Sequence, residues 1–230
     1  MIRFAAVAPH GDVEDTPDLL AAMEELGRRY DGATTVVVVT PHNVHVEGHF
    51  ALVVSARVGE HVVDRDLALA IVEAARAAGL PTVGVSYGGN DPTEAELPLD
   101  WGTEVPLRYV RAPKVVVVAP ARDRPREEHI RLGEVLAQFE VSLIASADHG
   151  HAHDPDGPYG FDAAAAEYDR RFGELTKTGD FRPLAELVAD AKADSLWQLL
   201  VLQGAVGGRP LELLAYAAPT YYGMAVAVAT

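Results

Sequence analysis

The sequence predicts an α/β fold whose central sheet is mostly parallel and carries helices on both faces. Six short runs rich in valine and isoleucine are bounded by turn residues. Their apolar residues are mostly continuous rather than alternating, which is typical of strands buried on both faces. Helical patterns lie between these runs, and such alternation is typical of parallel sheets. Histidines follow several of the runs, which indicates a site at the ends of strands.

The predicted strands share a core of β-branched and small apolar residues. They are Ile2–Ala8, Thr34–Thr40, Phe50–Ala56, Pro81–Ser86, Lys114–Ala119 and Val141–Ala147. Two later runs, LELLAYA and GMAVAVA, could add edge strands.

The predicted helices begin at capping or proline residues, and two of them end at glycines. They are Thr16–Arg29, Asp64–Gly79, Pro125–Phe139, Phe161–Leu175 and Ser195–Gly208. The chain shows no repeat and no low-complexity linker, so residues 1–230 are expected to form a single domain.

Composition narrows the functional classes. A formal net charge of −15 disfavours nucleic-acid binding, because a phosphate backbone requires clustered Lys and Arg. The absence of cysteine excludes disulfides and thiolate metal sites, and it fits a cytoplasmic protein. No apolar stretch reaches the roughly 18 residues of a membrane span, and the start lacks the apolar region of a secretory signal.

Histidines follow three different predicted strands. His10 follows the first strand and His42 the second, each directly after a proline, while His149, His151 and His153 follow the sixth. In parallel sheets, ligands bind outside the carboxyl ends of strands. A metal ion needs rigidly held imidazoles from separate elements, so His10 and His42 are predicted to be metal ligands.

The three later histidines are two residues apart and could share one face of a fully extended chain, so periodicity alone does not separate them. We expect two histidines on the metal and one beside it that moves protons, since imidazole titrates near neutrality. His45 could replace His42 as a ligand. The other three histidines, which are His49, His61 and His129, are expected to be structural.

A carboxylate is the natural third ligand. Two histidines and one carboxylate form the facial arrangement of non-haem Fe(II) oxygenases. Composition does not choose among the candidates, which are Asp12, Glu47, Asp148, Asp162, Asp190 and Asp194.

Several short motifs together resemble class III extradiol ring-cleavage dioxygenases. They are Pro9-His10, Pro41-His42-Asn43, LDWGTEVPL, ASADHGH and GPYGFD, and they span nearly the whole chain in the family's order. The chain is similar to the catalytic subunit of protocatechuate 4,5-dioxygenase.

The resemblance implies a mononuclear Fe(II) that binds a catechol and O2, with cleavage of the ring beside the two hydroxyls. It implies that His10 and His42 are the histidine ligands and that His151 is the acid/base. Trp101 and His149 are assigned to substrate binding. Zinc could occupy the site in a purified preparation.

Two positions depart from the family pattern. The family has Asp-His-Gly where this chain has Asp100-Trp101-Gly102, and an indole cannot transfer protons although its N–H can donate a hydrogen bond. The family's glutamate ligand falls nearest to Asp194 or Ser195. Asp194 is predicted to be the third ligand, with the alternative that it caps the helix beginning at Ser195.

The leading hypothesis is an Fe(II)-dependent extradiol dioxygenase that acts on a small aromatic diol and O2. A zinc hydrolase on the same scaffold and a non-catalytic metal- or partner-binding relative are the alternatives. No nucleic-acid or membrane partner is expected, and a homo-oligomer stays open.

Overall fold

The predicted strands all form, some of them with shorter ends. The computed structural model describes residues 1–30 and 32–230. Within these residues the strands are β1 (Ile2–Ala8), β2 (Thr35–Val39), β3 (Phe50–Val53), β4 (Arg57–Val58), β5 (His61–Val62), β6 (Thr82–Val85), β7 (Glu96–Leu97), β8 (Lys114–Ala119), β9 (Val141–Ser146), β10 (Leu211–Ala217) and β11 (Met224–Ala229).

Over the described residues, the central sheet has eight strands in the order β10-β11-β1-β9-β2-β8-β3-β6. The neighbours β1, β9, β2 and β8 are parallel to one another, as are β3 and β6. The β10–β11 hairpin joins β1 in antiparallel fashion, so the later apolar runs do extend one edge of the sheet. Strands β4, β5 and β7 form a separate small sheet that the sequence did not predict.

Both faces of the central sheet are covered, which confirms the predicted fold class. Along β2, Val37 and Val39 belong to one core cluster, and Val36 and Val38 belong to the other. This double burial explains why the strands are continuous apolar runs.

The helices divide between these two faces. Within the described residues they are α1 (Pro17–Arg29), α2 (Arg65–Ala77), α3 (Trp101–Tyr109), α4 (Arg126–Leu136), α5 (Ala163–Leu175) and α6 (Leu196–Val206). Helices α2, α4, α5 and α6 contribute to one core cluster, and α1 and α3 to the other. Helix α3 was not predicted. Over residues 1–30 and 32–230, none of the helices combines the length and the apolar character of a membrane span.

Asp64 occupies the N-cap position of α2, but its side chain makes no capping hydrogen bond. Its carboxylate instead accepts a hydrogen bond from the Thr35 hydroxyl and lies 3.5 Å from Lys114 Nζ. Asp64 therefore ties the start of α2 to β2 and β8. The predicted stop at Gly79 is confirmed, because this residue follows the helix with φ +77°.

Two glycines bring α6 against α4. A Cβ added at Gly133 would lie 2.0 Å from the Val201 carbonyl oxygen, and one at Gly204 would lie 1.9 Å from the Ile130 carbonyl oxygen. Any larger residue would separate the helices. This contact fixes α6, whose first turn follows Asp194.

Candidate metal centre

A cavity of about 840 Å³ opens where the parallel strands β1, β9, β2 and β8 end. The loops that follow these strands line it, together with residues from α3 and from the segment before α6. The residues of chemical interest in its wall are His10, His42, Trp101, Arg122, Asp148, His151 and Asp194. The predicted position of the site at the carboxyl ends of the strands is therefore observed.

Three ligand atoms from distant parts of the chain converge in this cavity. His10 Nε2 lies 3.0 Å from His42 Nε2 and 3.6 Å from Asp194 Oδ2. His42 Nε2 lies 3.7 Å from the same carboxylate oxygen. Two donor atoms that bind one ion at about 2.1 Å, roughly 90–110° apart, are ~3.0–3.4 Å from each other. The cluster thus has nearly the spacing that a single metal ion requires.

His10 is buried and its ring is held from behind. The Ser146 hydroxyl donates to the Gly102 carbonyl, so Ser146 Oγ, 3.0 Å from His10 Nδ1, acts as an acceptor. His10 Nδ1 therefore carries a proton, and Nε2 is the ring atom that faces His42 and Asp194. Asp148 Oδ1 accepts from the backbone N–H of His10 at 3.1 Å. Such outer partners orient an imidazole for metal binding.

His42 is held by the corner that follows β2. Its backbone N–H donates to Thr40 Oγ1 at 3.3 Å, and that hydroxyl donates to Asp100 Oδ1 at 2.8 Å. The Trp101 ring packs over His42 with 4.4 Å between ring centroids. Trp101 is 57% exposed, so it covers His42 while itself facing the cavity opening.

Asp194 presents one oxygen to the two histidines, and its other oxygen, Oδ1, is buried with no hydrogen-bond partner among the described residues. The alternative capping role is not observed, because the N-cap position of α6 belongs to Ser195 and the helix begins at Leu196. A buried carboxylate oxygen without a partner is costly, so this group calls for a cation.

The charges of the cluster also favour a cation. Burial by itself would lower the pKa of His10, but the carboxylates of Asp148 and Asp194 outweigh burial and raise it to about 9. Burial and the charge of His10 lower the pKa of His42 to about 4. Burial would raise the pKa of Asp194, but bonding to His10 prevails and lowers it. One proton thus occupies the region where a metal ion would bind, and the donor set fits a divalent metal.

His151 lines the same cavity. Its Nδ1 lies 2.7 Å from the carbonyl oxygen of His149, which can only accept, so Nδ1 carries a proton. The ring stacks on Tyr222 with centroids 5.7 Å apart, near Tyr159 and Tyr221. Nε2 of His151 is left as the atom available for proton exchange.

His149 and His153 are not brought to the cavity. His149 is fully buried, with its ring 4.0 Å from that of Phe172, and burial lowers its pKa to about 4. The predicted substrate contact by His149 therefore has no geometric basis here. His153 bonds Asp169 through Nε2 at 2.8 Å.

The remaining histidines and carboxylates considered from the sequence lie in different parts of the structure. Among the carboxylates, Asp12 and Asp148 line the cavity, whereas Asp162 accepts from the Ala164 N–H as the N-cap of α5. The cluster uses His42 and does not include His45. His129, on α4, is buried and packs against Phe50, as expected for a structural residue.

Arg122 was missed by the sequence reasoning. It lines the cavity, and its guanidinium lies 4.9 Å above the Trp197 ring. A signal was present, because Pro120 follows β8 just as Pro9 and Pro41 come between β1 and β2 and the two histidines of the cluster. The third proline corner therefore delivers a cation to the site.

The fold and site define an α/β protein with a His-His-Asp cluster at the carboxyl edge of a parallel sheet. The chain belongs to the LigB family, since residues 16–228 match the model of the catalytic LigB subunit of aromatic ring-opening dioxygenase. This confirms the family expected from the sequence motifs. His10 lies just before the matched range, so its place in the site depends on geometry alone.

The structure is similar to the crystal structure of the uncharacterized protein JW3007 from Escherichia coli K12. The TM-score is 0.66 at 15% sequence identity, and the match covers 99% of each chain. At this identity the likeness shows the fold. No protein among those with a curated description matches the chain.

Proposed function

We propose that the protein is a non-haem Fe(II)-dependent extradiol dioxygenase that cleaves the ring of a small catechol with O2. The observation that carries the proposal is the convergence of His10, His42 and Asp194 in a cavity of a chain from the ring-opening dioxygenase family. Two imidazoles and one carboxylate with open positions form the donor set of such iron sites. We further propose that residues 1–230 act as a single catalytic domain.

A ferrous ion held by His10, His42 and Asp194 would supply a Lewis acid and a redox-active centre for the reaction of a catechol with O2. The chain supplies the remaining functions. When a metal displaces the proton of His10, His10 and His42 would each present an Nε2 lone pair, and Asp194 would supply one negative charge. Asp148 keeps His10 in place through the His10 backbone N–H.

His151 is proposed as the general acid/base. Since its Nδ1–H is engaged by the His149 carbonyl, Nε2 is free to take a proton from a substrate hydroxyl. The same atom can donate that proton to an oxygen of the reacting substrate later in the reaction. Transfer by a positioned imidazole is typically worth 10²–10⁴-fold in rate, an order-of-magnitude range.

Aromatic side chains are proposed to hold the substrate ring. Trp101, Tyr159 and Tyr221 all line the cavity. The indole N–H of Trp101 can donate to a substrate oxygen, but it cannot move protons. Proton transfer in this site therefore falls to His151.

The test is anaerobic purification followed by metal analysis and oxygen uptake with a panel of catechols. We expect iron near one per chain, oxygen consumption, and a product whose mass equals the catechol plus both oxygen atoms. His10→Ala and His42→Ala should lose both metal and activity while keeping the fold by circular dichroism. Zinc without oxygen uptake, even after reconstitution with Fe(II), would overturn the proposal in favour of the zinc-enzyme or non-catalytic alternative.

A further inference from the structure

A charged residue lies on the buried face of helix α5. The buried residues of this fully described helix are Ala165, Tyr168, Asp169 and Phe172, which recur at helical spacing. Asp169 is the charged member of this otherwise apolar and aromatic set, and its side chain is 1% exposed. A buried carboxylate is stable only when it is well supplied with donors.

Asp169 has three such donors. Oδ1 accepts from the Gly150 backbone N–H at 2.8 Å. Oδ2 accepts from the Tyr216 hydroxyl at 2.7 Å and lies 2.8 Å from His153 Nε2. Burial and the charge of Asp169 raise the pKa of Tyr216, so its hydroxyl remains a donor.

Two of the donors flank His151 in the chain. Gly150 precedes it and His153 follows it by two residues, so one carboxylate holds both sides of the loop. The backbone of this loop is also bonded to its neighbours, with the His151 N–H donating to the Ala191 carbonyl at 2.8 Å. The Gly223 N–H donates to the Gly150 carbonyl at 2.9 Å.

Glycines provide the room for this arrangement. A Cβ on Gly223 would lie 1.9 Å from Asp169 Oδ2, and one on Gly150 would lie 2.8 Å from the Ala165 backbone. The loop and the 221–223 segment therefore approach α5 as closely as the backbone permits. Gly223 thus leaves room for the carboxylate, and Gly150 leaves room for the backbone of α5.

We propose that Asp169 is a positioning residue that fixes the loop around His151, so that Nε2 of His151 faces the metal centre. It touches neither the cavity nor the metal cluster, and it acts through Gly150 and His153. Its effect on turnover rests on the proposed function, whereas its effect on the orientation of His151 does not.

The test is the ring ¹⁵N spectrum of His151 in metal-free protein under mildly alkaline conditions, with His151→Ala used to assign the signals. Wild type should show one tautomer with the proton on Nδ1. Asp169→Asn replaces one acceptor oxygen by a donor of the same shape, so we expect shifted, broadened or doubled His151 signals. Tyr216→Phe is the matched control, because it removes the donor outside the loop and should leave these signals unchanged.

Kinetics provide the second readout. In Asp169→Asn, kcat should fall by about 10–100-fold, the usual effect of removing an outer partner, with KM and metal content near wild type. Tyr216→Phe should keep a normal kcat. A purely structural role would instead lower the melting temperature and leave kcat per folded, metal-loaded chain unchanged, which would refute the positioning role in catalysis.

The outcomes separate the two proposals. Unchanged His151 signals in Asp169→Asn overturn the inference whatever the activity. A wild type without ring cleavage overturns the proposed function, while the ¹⁵N spectra still decide the orientation. If Asp169→Asn fails to fold by circular dichroism, His153→Leu removes one loop donor and leaves the carboxylate, and the same two spectral outcomes apply.

Discussion

Asp194 combines two features that belong to a metal ligand. Its Oδ2 lies 3.6 Å from His10 Nε2 and 3.7 Å from His42 Nε2, and its Oδ1 is buried without a protein partner among the described residues. A helix cap would instead direct its oxygens at backbone N–H groups. The position of this side chain therefore supports the proposed ligand role.

Asp194→Asn tests this role at the level of one atom. The amide keeps the shape but removes the negative charge, so metal affinity should fall by at least about 100-fold, the upper end of what loss of an outer partner causes. Isothermal titration with Fe(II) or Co(II) would measure it. Asp190→Asn, an exposed neighbour outside the cavity, should bind metal like wild type. Equal affinities in the two variants would remove Asp194 from the ligand set.

Arg122 predicts a substrate preference. Its guanidinium stacks on Trp197, and the part of the chain that the structure describes places no carboxylate within 4.0 Å of it. It is thus available to pair with an acidic substituent on the substrate. In Arg122→Gln, KM for a carboxylate-bearing catechol should rise about tenfold, or ~1.4 kcal/mol, while KM for plain catechol stays unchanged.

The exposed residue Arg126 supplies the control for that measurement. Arg126→Gln should behave like wild type with both substrates. A similar rise for plain catechol in Arg122→Gln would indicate a general disturbance of the cavity rather than pairing with an acidic group.

At this scale, the sequence indicated which histidines meet in the cavity, and their roles stay predictions. Strand ends and family motifs mark His10, His42 and His151, and all three line the cavity. His149 and His151 could not be separated by periodicity, since both follow the same strand. Their difference arises from packing, because His149 lies against Phe172 in the core.

Helix α3 lines the cavity and contacts the corner after β2 that carries His42. Asp100 caps it by accepting from the Thr103 N–H at 3.0 Å, and it also accepts from the hydroxyl of Thr40 and the amide of Asn43. The helix was not predicted, because it is short and contains Pro106, which normally ends a helix. Its stability depends on these tertiary contacts rather than on propensity.

Replacing this cap should therefore affect metal binding as well as stability. Asp100→Ala should cost about 1 kcal/mol from the lost cap. It should also weaken metal affinity by about 10–100-fold, because Thr40 no longer holds the His42 corner. Chemical denaturation and metal titration would measure the two effects.

A second aspartate cap provides the comparison. Asp162→Ala removes the cap of α5, which bonds the Ala164 N–H at 2.8 Å. It should show a similar loss of stability with normal metal affinity. If both variants lose metal equally, the coupling between α3 and His42 is disproved.

For the whole molecule, the strands and the two helical layers could be predicted, but the strand order could not. Local patterns such as the valine runs specify that a strand is buried on both faces. Pairing of β1 with β9, or of β2 with β8, joins residues far apart in the chain, and no local pattern encodes it. The choice of a third ligand was open for the same reason, because composition offered several carboxylates and only the fold brings Asp194 beside His10 and His42.

Buried histidines make the stability of the whole fold depend on pH. Burial lowers the pKa of His149 and of His129 to about 4, below the ordinary 6.5. As pH falls through 6.5, these two histidines bind protons in the unfolded chain before they do so in the folded protein. Their contribution to the free energy of unfolding is therefore fully present above pH 6.5 and is lost progressively toward pH 4. Each group contributes a slope of up to ~1.4 kcal/mol per pH unit.

His149→Phe isolates this contribution. The variant keeps an aromatic ring against Phe172 and removes the titrating group, so the free energy of unfolding should fall less steeply between pH 6.5 and pH 4. Urea denaturation across this range would measure the slope. The control Phe172→Leu should lower the free energy of unfolding by the same amount at every pH in this range. An unchanged slope in His149→Phe would show that His149 does not titrate there.

The wide separation of the three ligands along the chain has a kinetic consequence. His10 and His42 follow the first two strands, whereas Asp194 comes just before the last helix. During synthesis, the emerging chain offers only two of the three proposed ligands until residue 194 has been made. Under the proposed function, iron therefore finds its full set of ligands only after strands β1 to β9 and helices α1 to α5 have been made. We therefore expect an ion that joins residue 10 to residue 194 to lengthen the lifetime of the folded state, because it slows unfolding and leaves the rate of folding unchanged.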